Sequence, residues 1–255
     1  MKILLPPSEG KAAAVAGGPV ELGDLSFAFL SDARERVADV LAEVSASEGA
    51  FDVLKVGASL GAEVERNTRV WDEPAWEAWR VYTGVLFEAL DVGSLSAQEF
   101  ERAVESIVVV SALWGAVRLD DAIPAYRLSM GVKLPGVGSL ATFWKAELGR
   151  LNELMSDELF VDCRSAAYAK AWVTPAVKTV QVRVEKLLAD GSRKVVSHMA
   201  KHYRGELARF LVTENLTHIA EPRQLFDAVQ RCWQAELVEP TEKKPGVLTL
   251  IIPEG

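Results

Sequence analysis

The stretch that decides the fold is Ile107-Val108-Val109-Val110, four β-branched residues in a row, followed by Ser111. A continuous apolar run of this length, rich in β-branched side chains, is typical of a strand that is buried on both faces. We therefore predict a central strand over Ile107–Val110. Ahead of it, Ser96 and Glu99 form a capping box, which predicts a helix that begins next to Ser96.

Further strands are predicted on both sides of this segment. Ile3–Leu5 and Leu159–Val161 are short apolar runs and predict two more buried strands. Val177–Val184 alternates apolar and polar residues, and Asp190-Gly191 turns the chain back into Lys194–Val196, which predicts an antiparallel hairpin.

Helices are predicted between these strands. Apolar residues at helical spacing predict helices that begin at Ser31 and at about Lys201, and helices that span about 74–90 and 139–155. Val247–Ile252 predicts a last strand. Because strands and helices interleave, we predict an α/β fold in one domain over residues 1–255, with a mixed sheet flanked by helices and an antiparallel hairpin.

The composition excludes several classes of protein. The chain has 255 residues, of which 49% are hydrophobic and 25% charged, as in ordinary globular proteins. No apolar run approaches the roughly 18 residues that cross a bilayer, so we expect no membrane partner. Two cysteines, Cys163 and Cys232, imply no disulfide framework and suit a reducing compartment, so we expect a cytoplasmic location.

Charge is distributed unevenly along the chain. The net charge is -8, but the stretch Arg164–Arg209 carries +7 and the remainder -15. This asymmetry favours a basic cleft that attracts an anion. Within the stretch, Arg204 and Ala208 lie on one side of the predicted last helix, and Gly205 beside them would let a phosphate approach closely.

Polar residues follow three of the predicted strands. Ser8 and Lys11 come after the first, Ser111 and Arg118 after the second, and Asp162–Ser165 after the third. In open α/β sheets, ligands bind beyond the carboxyl ends of the strands. If the three strands are parallel neighbours, these clusters face one crevice.

Several of these segments resemble a known family. Ser111–Arg118, Asp121 and Tyr126–Gly131 closely resemble the central signature of the YaaA peroxide-stress family. Four other segments resemble further motifs of that family in the expected order: Val81–Gly84, Phe143-Trp144, Asp162–Lys170 and Lys201–Phe210. The resemblance covers roughly residues 1–230.

The resemblance implies a cytosolic protein that limits damage by hydrogen peroxide, in part by restraining free iron. It also implies a basic cleft and a helix-hairpin-helix element, in the N-terminal third, that binds duplex or branched DNA. The matching hairpin here consists of Lys55, Val56, Gly57, Ala58 and Ser59. A hairpin of this kind offers backbone N–H groups to a phosphate.

We expect the cleft to bind a phosphate-bearing ligand, either DNA or a small molecule. Its predicted lining is Ser8, Lys11, Ser111, Arg118, Tyr126, Arg127, Lys201, Arg204 and Arg209. This expectation requires that Arg118 converge with Arg204 and Arg209. Two functions fit the cleft: DNA binding during oxidative stress, or an enzyme that acts on a small anionic or nucleotide-like substrate. The sequence identifies no catalytic residue.

Other chemistries have weaker support. Gly57–Gly61 matches the G-x-S-x-G nucleophile elbow, with Phe51–Val56 as its strand, but the resemblance assigns this segment to the hairpin. Cys163 follows a strand beside Arg164, which favours reaction with peroxide if the thiol is exposed, although a small buried cysteine is the commoner case.

One further pattern has the spacing of a metal site. His198, His202 and Glu206 have the spacing of metal ligands on a helix, but Val195-Val196 predict a strand up to His198. We therefore predict no metal and no cofactor.

Deleting the gene in its host should raise sensitivity to hydrogen peroxide, and an iron chelator should relieve that sensitivity, because the resemblance implies control of free iron. Survival is measured across a series of peroxide concentrations. Equal survival of the deletion strain and its parent would show that this member does not carry the family's role.

Overall fold

The computed structural model describes residues 1–196 and 198–253. The strands are β1 (Lys2–Leu5), β2 (Trp76–Glu77), β3 (Ile107–Ser111), β4 (Gly115–Val117), β5 (Ala122–Ile123), β6 (Lys133–Leu134), β7 (Gly138–Ser139), β8 (Phe160–Asp162), β9 (Thr179–Leu187), β10 (Arg193–Val195), β11 (Gln234–Val238) and β12 (Gly246–Ile252). The helices are α1 (Ser31–Ser45), α2 (Ala50–Leu54), α3 (Gly61–Asn67), α4 (Ala78–Val81), α5 (Val85–Leu90), α6 (Ala97–Ser106), α7 (Leu140–Leu148), α8 (Leu151–Leu154), α9 (Ala166–Ala171), α10 (His198–Thr213) and α11 (Pro222–Val229). In these described ranges, no helix has the length and apolarity needed to cross a bilayer.

Eight strands form one sheet in the order β11-β12-β9-β8-β1-β3-β4, and β10 pairs with the end of β9. Strands β12, β9, β8, β1 and β3 are parallel, whereas β4, β10 and β11 pair antiparallel to their neighbours. The predicted mixed α/β sheet with an antiparallel hairpin is therefore confirmed. The centre of the sheet differs from the prediction, because β3 lies one strand from the edge.

Strand β3 is buried along its whole length, as a parallel strand covered on both faces must be. Helix α6 leads into it with no loop, since α6 ends at Ser106 and β3 begins at Ile107. The predicted capping box is present: Glu99 N–H donates to Ser96 Oγ at 3.4 Å, and Ser96 N–H donates to Glu99 Oε2 at 2.7 Å. This cap fixes where α6 starts and hence where the chain enters the sheet.

Two predicted helices are interrupted. The segment 74–90 contains β2, α4 and α5, because Tyr82 is extended and Gly84 has a φ of 85°. The break is held from outside the segment, since Thr83 N–H donates to Ser8 Oγ at 3.0 Å. The segment 139–155 is divided into α7 and α8 at Gly149-Arg150.

Helix boundaries also differ from the prediction. The sequence favours Ser31 as the residue that caps the first helix, but Ser31 is the first residue of α1 and Leu30 is the N-cap; Ser31 Oγ donates to Ala28 O at 2.7 Å. Helix α10 begins at His198, three residues before Lys201. Strand β11 and the two small antiparallel pairs, β2 with β5 and β6 with β7, were not predicted.

Helices α10 and α5 approach each other closely at Gly205 of α10. A Cβ at this position would overlap the Leu86 carbonyl oxygen of α5 and lie 2.9 Å from Ala89 Cβ. The interpretation of Gly205 as space for a phosphate is therefore wrong, because a neighbouring helix fills that space. Ala208, predicted on the same polar face, is fully buried.

Replacing Gly205 by alanine should destabilise the protein by roughly 1–3 kcal/mol, because overpacking at a helix contact outweighs the gain of about 1 kcal/mol in helix propensity. The measurement is the free energy of unfolding in urea. Gly23→Ala is the matched control, because nothing lies within 4 Å of its added Cβ. Equal stability of Gly205→Ala and wild type would contradict this packing.

Candidate functional site

The carboxyl ends of β1 and β3 lie side by side, because the two strands are parallel neighbours in register from Ile3 opposite Ile107. Strand β8 flanks β1 on its other side, so the three predicted strand ends are adjacent. The loop that follows β1 continues to Lys11, whose backbone forms an antiparallel bridge with Tyr82. This bridge brings the first polar cluster against the break between α4 and α5.

A chain of buried hydroxyl groups starts at the end of β3. Ser111 Oγ accepts hydrogen bonds from Leu113 N–H at 3.2 Å and Trp114 N–H at 2.9 Å. Because both lone pairs of Ser111 Oγ already accept hydrogen bonds, the Ser111 O–H donates a hydrogen bond to Tyr126 OH at 2.7 Å. Tyr126 OH in turn lies 3.3 Å from Tyr82 OH. Burial raises the pKa of Tyr82 to about 12 and that of Tyr126 well above its ordinary value, so both phenols stay protonated.

The Lys11 amine packs against these tyrosines. Its Nζ lies 4.1 Å from the ring centroid of Tyr126 and 5.8 Å from that of Tyr82. It donates to Ser8 O at 2.8 Å and to Glu9 O at 3.4 Å. Burial lowers the pKa of Lys11 to about 7, and the opposing attraction of Glu9 is smaller. Near neutral pH this amine can therefore either hold or accept a proton.

Arg127 closes the cluster on the side of α3. Its guanidinium forms ion pairs with Glu9 at 3.2 Å and Glu63 at 3.5 Å, and it also donates to Glu9 O at 3.1 Å. The buried Asn67 side chain holds the Arg127 backbone, accepting from its N–H at 2.8 Å and donating to its carbonyl oxygen at 2.9 Å. We call Lys11, Tyr82, Ser111, Tyr126 and Arg127 the Lys11 cluster.

A cavity of about 260 Å³ is lined by the loop that follows β1. Its polar lining comes from Ser8, Glu9, Thr83 and Lys201, and its floor from the start of α5. We call it the Lys201 cavity. Helix α10 thus brings Lys201 to the same loop that holds Lys11. This placement fits the prediction that both lysines line one crevice.

Arg118 and Arg209 lie away from this crevice. Arg118 follows β4, its guanidinium lies 5.7 Å from the ring centroid of Phe27, and its Nε is buried with no partner among the described residues. Arg209 donates to Leu90 O at 3.0 Å, to Asp91 O at 2.9 Å and to Ser94 Oγ at 2.8 Å. Arg209 therefore ties α10 to the end of α5.

Arg204 also points elsewhere, donating to Val182 O of β9 at 2.8 Å. Strands β9 and β4 are separated by four strand spacings, which is about 19 Å. The predicted convergence of Arg118 with Arg204 and Arg209 is therefore wrong. Charge along a sequence does not reveal which strand, helix or loop each arginine side chain contacts.

The structure does not support the nucleophile elbow or a reactive Cys163. Phe51–Val56 is not a strand, because it contains most of α2, so the nucleophile elbow is wrong. Cys163 is fully buried, which raises the pKa of its thiol to about 12 and makes it unreactive. The described residues contain no group of three His, Cys, Asp or Glu side chains placed to hold a metal, and the side chain of His198 lies outside them.

Sequence reasoning missed several residues of the site. Tyr82 and Thr83 belong to Val81–Gly84, a segment that resembles a family motif, and this resemblance is a signal that could have placed them in the crevice. Glu9 and Glu63 neutralise Arg127, and Asn67 holds its backbone. Glu9 belongs to the polar cluster Ser8–Lys11 that follows the first strand, whereas no local pattern distinguishes Glu63 and Asn67 from ordinary helix positions.

Comparison with known proteins identifies the family of the chain. The model of the family described as peroxide stress protein YaaA matches residues 1–230. A UPF0246 protein of Streptomyces coelicolor is 44% identical over 233 residues, which cover 90% of this chain and 89% of the relative. A UPF0246 protein of Corynebacterium efficiens is 43% identical over 259 residues, which cover 99% of this chain and all of the relative. With the Ser111–Gly131 signature at the centre of the Lys11 cluster, the chain belongs to the YaaA peroxide stress protein family.

Proposed function

We propose that this family member acts in the cytosol under peroxide stress by binding a small anion, such as a phosphate-bearing metabolite, in the Lys201 cavity. The observation that carries the proposal is the placement of two lysines at the loop that follows β1: Lys201 lines the cavity, and the Lys11 amine binds the carbonyl oxygen of Ser8, which also lines it. Burial lowers the pKa of the Lys11 amine to about 7. A volume of about 260 Å³ suits a small molecule and excludes a duplex.

The Lys11 amine can gain or lose a proton when an anion binds near it. A negative charge nearby favours the protonated form of a lysine, so an anion in the cavity raises the pKa of Lys11. Binding is then coupled to uptake of a proton by Lys11. In an enzyme that acts on an anionic or nucleotide-like substrate, the same amine would be the general base, because its pKa is close to the working pH.

Sulfate should bind about tenfold more tightly at pH 6 than at pH 8.5, because below a pKa of about 7 Lys11 carries a positive charge and above it the charge is lost. Sulfate remains a dianion throughout this range, so its own titration does not contribute. Isothermal titration calorimetry measures the affinity at each pH. Lys11→Met should remove the pH dependence.

Lys201→Met should weaken sulfate binding at every pH, since it removes a charge that lines the cavity without removing the titrating group. Lys145→Met is the matched control, because Lys145 is an exposed lysine of α7 that does not line this cavity. Wild-type affinity that stays constant from pH 6 to 8.5, or full affinity in Lys201→Met, would contradict the proposal.

We propose DNA binding through residues 55–59 as a second candidate function. It is supported by the tight connection between α2 and α3, where Lys55 has a φ of 56° and Val56 N–H donates to Phe51 O at 3.0 Å. Gly57, Ala58 and Ser59 are exposed at this turn. Their surface suits contact with a phosphate backbone, although Lys55 Nζ donates to Gly131 O at 3.1 Å in the free protein.

If the turn contacts DNA, Lys55→Glu should weaken binding to duplex or branched DNA at least tenfold, because it replaces a phosphate contact by repulsion, and wild-type affinity should fall steeply with salt. Fluorescence anisotropy measures both effects between 50 and 300 mM salt. Lys145→Glu makes the same change of charge on α7. No binding by wild type at 50 mM salt would reject this function, and equal binding by Lys55→Glu would exclude the turn.

A further inference from the structure

A second cavity, of about 330 Å³, lies between β8, α9, the hairpin of β9 and β10, and the first turns of α10. It has no lining residue in common with the Lys201 cavity. Two of the sequence motifs, Asp162–Lys170 and Lys201–Phe210, meet at this cavity although they are far apart in the chain. We call it the Arg204 cavity.

Three arginines line the cavity, and two of them are neutralised. Arg164 is buried and makes a two-pronged contact with Asp162, with Nε to Oδ1 at 2.8 Å and Nη2 to Oδ2 at 2.9 Å. Arg183 forms an ion pair with Glu185 at 2.6 Å. Arg204 therefore supplies the net positive charge of the cavity.

The guanidinium of Arg204 has unused hydrogen-bonding capacity. One Nη2–H donates to Val182 O at 2.8 Å. Nε is buried, and within residues 1–196 and 198–253 it has no hydrogen-bond partner. A buried N–H without a partner is unfavourable, so an acceptor that reaches it on binding recovers that cost.

Apart from the polar Gln181, the rest of the lining is apolar and small. It consists of Ala166, Ala169, Ala200, Val182, Val184, Val195, Val196 and Val247. These side chains leave room for an organic group rather than for an ion alone. A volume of about 330 Å³ lies at the small end of the range for ligand pockets.

We propose that the Arg204 cavity binds a small organic monoanion, a carboxylate on a branched or aromatic hydrocarbon body. The carboxylate accepts from Arg204 Nε and from the remaining N–H groups of the guanidinium, whose planar geometry suits two parallel hydrogen bonds. One net positive charge matches one negative charge, whereas a dianionic phosphate would remain half neutralised. The alanine and valine side chains pack against the hydrocarbon body.

The test uses isovalerate, phenylacetate and 4-phenylbutyrate as probes, each paired with its neutral amide, at pH 7.5. Calorimetry measures the affinity, and NMR follows the methyl groups of Ala169 and Ala200. At least one carboxylate should bind saturably and shift both methyl resonances. Its amide should bind at least tenfold more weakly, because it lacks the charge that Arg204 recognises.

Two variants test separately the charge of Arg204 and the free volume of the cavity. Arg204→Met should weaken the bound carboxylate roughly tenfold to a hundredfold, and Ala169→Leu should block it by filling the cavity with Arg204 intact. Arg223→Met is the matched control, because Arg223 lies exposed on α11 and pairs with Asp227. Melting temperatures identify any variant that fails to fold. If Arg204→Met does not fold, Ala169→Leu and the amides decide the question.

Three results would overturn the proposal: no saturable binding by any carboxylate, equal binding by acid and amide, or full affinity in folded Arg204→Met or Ala169→Leu. The proposal is independent of the Lys201 cavity. Lys11→Met and Lys201→Met should bind the carboxylate as wild type does, so failure at one cavity leaves the other open to its own test.

Discussion

The Ser111 hydroxyl is the interaction on which the site depends. It sits at the end of a buried strand, accepts from the N–H groups of Leu113 and Trp114, and so ends β3 and starts the turn into β4. The same hydroxyl orients Tyr126, and through Tyr126 it reaches Tyr82. The two rings form the apolar wall that removes water from Lys11, and this loss of water lowers the pKa of the amine.

The arginines of this protein are mostly committed to internal contacts, and this decides how ligands can bind. Arg34 is fully buried and donates to the carbonyl oxygens of Ser26, Trp114 and Ala116, which attaches α1 to the edge of the sheet. Arg209 ties two helices together. Lys201 and Arg204 line two separate small cavities, and this separation favours small anions over a long polyanion as ligands of the strand ends.

Sequence patterns predicted those parts of the fold that local physics determines. The β-branched run of β3, the apolar runs of β1 and β8 and the alternation of β9 each specify a strand without reference to the rest of the chain. The capping box of α6 is equally local, because all four of its atoms belong to Ser96 and Glu99. The adjacency of the strand ends was only conditional at the level of the sequence, and it is the order β8-β1-β3 in the sheet that establishes it.

Contacts between distant residues could not be predicted in this way. The break at Thr83-Gly84 is held by Ser8, and the backbone of Arg127 is held by Asn67, each from another part of the chain. The paths of Arg118, Arg204 and Arg209 depend on which strand or helix each side chain meets. The number of charges in a stretch of sequence carries no such information. The single basic cleft was therefore predicted from a stretch in which Arg204 and Arg209 contact different elements of the fold.

The titration of Lys11 is the most direct test of this account, because the function proposed for the Lys201 cavity depends on an amine that loses its proton near neutral pH. NMR of the side-chain Cε and Nζ of Lys11, assigned with Lys11→Arg, reports its pKa in the folded protein. The account predicts a midpoint of about 7. A midpoint near the ordinary lysine value of about 10.4 would show that the tyrosine wall does not exclude water from the amine, and it would contradict the account.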